Sequence, residues 1–222
     1  MLRRDYIVQA IEECMQALLR IRRLRQEGRW EAAQEAADAE FEKLVSTGAQ
    51  AAAQLSETEL LARLAKDQPT YVVRNRMFVM ISLLQEAGEI ALGQGRASDA
   101  PVIFLKALNL LLQVSTEEEL GEHPAYVPRA EALVLLLDET ALPVSTLVLL
   151  MRHYESTGQY GKAEDILFSL LDATRNDPAI LALGTAFYSR ILRENDETLA
   201  AAQLPRGEAR EGFQELERRK NT

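Results

Sequence analysis

Residues 147–163, LVLLMRHYESTGQYGKA, constrain the fold more than any other part of the chain. Large residues recur at Leu147, Leu150 and Tyr154, the three-to-four-residue period of a helix with one apolar face. Gly158 then breaks the pattern. A residue without a β-carbon suits a chain that must leave one helix and turn into the next. Tyr160 and Ala163 follow on the opening turn of a second helix. A small side chain at Ala163 lets two helices approach closely, ridge into groove. The stretch therefore predicts a helix pair joined by a short glycine turn.

The rest of the chain uses the same grammar. Seven prolines and 11 glycines in 222 residues are too few for an all-β architecture with many turns, and hydrophobic residues at 47% can fill a substantial core. Helical periodicity runs over residues 5–27 up to Gly28, and again from Trp30 until Ser46–Gly48 stops it. In SETELLARLAK (56–66), Ser56 followed three residues later by Glu59 predicts a capping box. A long helix is expected to reach about Leu92. The GQGR break (93–96) and a helix from about Ala97 follow, with Pro101 in its first turn. Residues 116–128 read as a loose segment, a short turn of helix and a loop. Pro128, Pro143 and Pro178 each open a further helix. About nine helices are expected, in one domain over residues 1–205. The stretch 206–222 reads as a polar C-terminal tail, a frayed helix.

The helix-pair pattern recurs. Gly88, Gly95, Ala100, Phe104 and Ala107 carry its complementary half, and Leu24, Gly28, Trp30 and Ala33 carry a shorter form. These residues resemble the tetratricopeptide repeat, in which large residues of a first helix grip a second across a glycine turn. The opening MLRRDYIVQAIEE is similar to that of an uncharacterised bacterial family of tetratricopeptide-like proteins. Met151 stands where that repeat usually has a small residue, and Leu167 stands where it usually has an aromatic. Ala33, Ala100 and Ala163 are 67 and 63 residues apart, so two repeats of about 34 residues fit each interval. The resemblance implies antiparallel helix pairs stacked as a short, irregular right-handed solenoid. It also implies that the first helix of each pair lines a concave face.

Few residues could carry chemistry. The histidines are His123 and His153, the one cysteine is Cys14, and no HExxH, CxxC or Glu-x-x-His pattern occurs. Gln94 between Gly93 and Gly95 has the look of a phosphate loop, but no strand precedes it and no Lys-Ser/Thr follows. No catalytic residue, metal ligand or cofactor is assigned. A single cysteine fits a reducing compartment, and Cys14 reads as a small buried apolar residue. The N-terminus lacks the apolar core of a cleaved leader, and the longest apolar runs are far short of about 20 residues. A bacterial cytoplasmic protein is the expectation.

The formal charge of −9 disfavours nucleic acid and anionic membrane surfaces as partners. One basic run stands against it. Residues 1–29 hold seven arginines against one aspartate and three glutamates, a surplus of three positive charges in a chain that is otherwise acidic. Arg22, Arg25 and Arg29 share a helix face there. The run is either part of a groove for an acidic peptide or for phosphate, or a solvated face that balances acidic neighbours within the same protein. Counting along the three copies places Arg22, Arg25, Gln85, Glu89, Arg152 and Glu155 on the concave face, the candidate partner-binding residues. A mixed-charge groove of this kind suits a charged peptide or another helix. The function expected is a non-enzymatic protein–protein interaction module, a scaffold or adaptor. The alternative is a self-associating structural or regulatory subunit, such as a homodimer.

Overall fold

A computed structural model describes residues 2–66, 68–115, 124–137 and 142–221, with side chains throughout these segments except at residues 2–11, 70, 71 and 115. Among the described residues the chain is all-helical, with twelve helices and no strand. Contacts divide it into two units, residues 1–141 and 142–222, where the sequence suggested one domain followed by a tail.

The first unit contains α1 (Leu2–Gln26), α2 (Trp30–Val45), α3 (Ala49–Gln54), α4 (Glu57–Ala65), α5 (Thr70–Gly93), α6 (Ala100–Ser115) and α7 (Ala130–Leu136). Helix α5 is its hub, packing against α1, α2, α3, α4 and α6. The sequence explains why. From Met77 to Ala91 nearly every residue of α5 is buried, so the helix packs on nearly all sides rather than through one apolar stripe. Helix α2 offers a narrower face, with Ala33, Ala37, Phe41 and Val45 buried at helical spacing. Its end is marked by Ser46 in a left-handed conformation. Helix α4 begins with the expected capping box: Ser56 accepts from the Glu59 amide, and the Glu59 carboxylate accepts from the Ser56 amide.

The second unit contains α8 (Val144–Ser156), α9 (Tyr160–Thr174), α10 (Pro178–Ile191), α11 (Asp196–Ala201) and α12 (Arg206–Lys220). Helices α8 and α9 pack together as 147–163 predicted. Gly158 has φ +70° with open space around it, so backbone conformation rather than crowding requires the glycine. Ala163 is fully buried. Asp177 caps α10 by accepting from the Ala179 amide, with Pro178 at the first helical position.

Residues 206–220, read from the sequence as a polar tail or frayed helix, form the helix α12. Helix α12 packs on α10 through buried Ala209 and Leu216, and Phe213 lies 5.6 Å from the Tyr188 ring. Arg219 bonds Asp172 at 2.6 Å and lies over the Phe168 ring. Beneath α12, the fully buried Tyr188 donates its hydroxyl to Glu164 at 2.5 Å. Burial, then the Glu164 contact, pushes the Tyr188 phenol up, so it stays a donor. Burial likewise raises the Glu164 carboxyl, against the lowering effect of that hydrogen bond.

Candidate functional site

The six candidate residues fall into two groups, one in each unit. In the first unit, Arg22 and Arg25 of α1 meet Glu86 and Glu89 of α5. Arg22 donates through Nε to Glu86 at 2.6 Å, and Arg25 donates through Nε to the other Glu86 oxygen at 3.0 Å. Arg25 also reaches Glu89 at 3.5 Å. Glu86 is only 2% exposed, and the two guanidinium groups supply the hydrogen bonds and counter-charge that offset burying its carboxylate in the hub of the unit. Arg22 and the buried Ser82 both donate to the Tyr126 carbonyl, which pins the 124–127 turn to the same place. Gln85 is half-buried beside this cluster in sequence. The basic run is thus largely balanced by acidic neighbours within the same unit.

Glu86 is the residue that counting along the repeats passed over. Its signal was visible: with Glu89 it is one of two acids in the largely apolar run 77–92, with an arginine run elsewhere in the chain to pair them.

In the second unit, Arg152 and Glu155 of α8 line an open cleft of about 310 Å³ with Ser156, Tyr160, Arg190, Ile191 and Glu194. That volume is at the small end of ligand pockets, roughly 300–1,000 Å³. It admits one or two side chains rather than a whole peptide. Arg190 grips Glu155 with two parallel bonds, 2.6 and 2.9 Å. Arg152 is exposed and makes no hydrogen bond or ion pair among the described residues. Burial, then Glu194 and Glu155, push the Tyr160 phenol up, so it remains a neutral donor. The turn that carries Glu194 is fixed by Arg206, which donates to the Leu192 carbonyl at 2.9 Å, to the Glu194 carbonyl and to the Asp196 carboxylate. Ile191 supplies an apolar floor, and the walls carry both signs of charge.

Other residues singled out by sequence lie apart from these groups. His153 is buried on α8. His123 and residues 116–123 of the loose segment lie outside the described residues. Cys14 is half-buried rather than fully so, and burial, then Glu40, push its thiol up, away from the reactive thiolate. No helix among the described residues is long and apolar enough to cross a membrane.

The fold and these two groups define an all-helical protein in which Arg22, Arg25 and Arg190 each pair with carboxylates of their own unit. The chain belongs to DUF6483, a family of unknown function, whose model matches residues 1–221. No curated protein and no solved structure matches it.

Proposed function

We propose that this chain is a non-enzymatic protein–protein interaction module, a bacterial cytoplasmic scaffold or adaptor of tetratricopeptide-like design. Its partner segment, a peptide or helix, docks on the face where α8 and α10 bear the cleft. The observation that carries this reading is Arg152. It is an unengaged, exposed guanidinium at the rim of a cleft with an apolar floor, beside an Arg190–Glu155 pair that is already neutral. Such a site reads an acidic side chain with an apolar neighbour. In a stacked solenoid of antiparallel pairs, α8 and α10 would be successive first helices, the two that line a concave face. Arg22 and Arg25 have a weaker claim as docking residues, since Glu86 already holds them.

Affinity capture from native lysate tests the proposal, with the intact chain and the Arg152→Glu chain as baits of equal helicity and melting temperature. A protein held by the first and lost from the second supports it. Equal capture by both baits contradicts the assignment of the cleft. Arg22→Glu is a poor bait, because it removes one of Glu86's two guanidinium partners and sets another carboxylate beside it.

The second reading is a self-associating subunit. It is favoured by exposed apolar residues on α1, Met15 and Leu19.

A further inference from the structure

We propose that the exposed face of α1 pairs with the same face of a second copy of this chain, the two helices running antiparallel. The face consists of Glu12, Met15, Gln16, Leu19, Arg20 and Arg23, all exposed in the intact chain and spaced as one continuous helical stripe. Met15 is 39% and Leu19 62% exposed, one turn apart. The other large exposed apolar residues, Leu92, Val102, Leu135 and Val144, are scattered over different helices. A pair of adjacent apolar residues framed by charge is a contact surface in miniature.

The charges choose the occupant. Glu12 lies one turn before Met15, and Arg23 lies one turn after Leu19. Two such faces laid parallel would set Glu12 beside Glu12 and Arg23 beside Arg23. Laid antiparallel about a two-fold axis near Ala17, Met15 of each copy meets Leu19 of the other, and each Glu12 comes beside an Arg23. The surface is therefore self-complementary, as an isologous interface must be. Glu12 and Arg20 make no hydrogen bond or ion pair among the described residues. Arg23 gives only its Nε to Glu27, leaving its terminal donors for a second carboxylate. Six residues a side bury less than the roughly 1,200 Å² of a stable interface, which places the dimer among weak, concentration-dependent complexes.

Sedimentation of the full chain from low-micromolar to near-millimolar concentration tests this. The mass should rise from 24.8 kDa toward twice that value. Arg23→Glu alone and Glu12→Arg alone should each weaken association about tenfold or more, by setting like charges together. The double exchange, Glu12→Arg with Arg23→Glu, should restore it. All these side chains are exposed, so helicity should not change. A monomer throughout the range, single reversals without effect, or a double exchange that fails to recover association would each overturn the proposal. The Arg152 cleft is in the other unit, so neither result bears on it.

Discussion

Gly88 on α5 lies so close to the Phe104 ring on α6 that a β-carbon at residue 88 would sit 2.3 Å from Phe104 Cε1. Phe104 is itself 1% exposed and has nowhere to move. Alanine normally gains about 1 kcal/mol over glycine inside a helix. Here overpacking of about 1–3 kcal/mol opposes that gain. Gly88→Ala is expected to destabilise the chain in urea unfolding. Gly207→Ala on α12, where the added carbon meets nothing within 4 Å, should be neutral or stabilising by up to about 1 kcal/mol. Equal shifts for the two variants would mean that α5 and α6 are not in such close contact.

The Glu86 cluster makes an asymmetric prediction. Removing both Arg22 and Arg25 as alanines leaves a buried carboxylate without a counter-charge and should cost about 3–5 kcal/mol. Glu86→Gln should cost less, because it removes the buried charge and leaves two arginines that reach water. Thermal melts of the three chains would show the ordering. A double-arginine variant that melts with the wild type would mean that Glu86 is not held as described.

Glu164 gives a pH dependence. Its folded pKa is raised above the ordinary value of 4.5, chiefly by burial. The folded state therefore binds its proton more tightly than the unfolded chain does. The charged form carries a penalty above the folded pKa, and that penalty is relieved as pH falls through it toward 4.5. Glu164→Gln keeps an acceptor for the Tyr188 hydroxyl and removes the charge. It should raise the melting temperature at neutral pH and narrow the gain on mild acidification. No gain at neutral pH would contradict the assignment.

Ala163, fully buried where α9 opens against α8, should not tolerate bulk. Ala163→Leu is expected to cost about 1–3 kcal/mol by overpacking. A melt unchanged from wild type would mean that the two helices have room to spare there.

Much of this was legible in the sequence wherever one residue sets a boundary by itself. Gly158 needs positive φ, Ser56 and Glu59 need each other, and Asp177 with Pro178 can only open a helix. What escaped were elements with too little pattern. Helices α3 and α11 have six residues each, less than two turns, so periodicity has no room to show. Helix α12 buries only Ala209 and Leu216 under a sequence that otherwise reads as solvated, so its docking is carried by too few side chains to be seen beforehand. The Arg22 and Arg25 assignments depended on which residue α5 turns toward α1. Repeat counting named Glu89, whereas Glu86, one turn earlier, takes the shorter bonds.

Docking of a partner protein at the α8–α10 cleft can be read with a photoreactive residue placed at Ser156, within the cleft, and separately at exposed Asp165 on α9. Irradiation in lysate should cross-link one protein from position 156 and not from 165, and Arg152→Glu should abolish that adduct. Adducts of equal yield from both positions, or an adduct at 156 that survives Arg152→Glu, would contradict it.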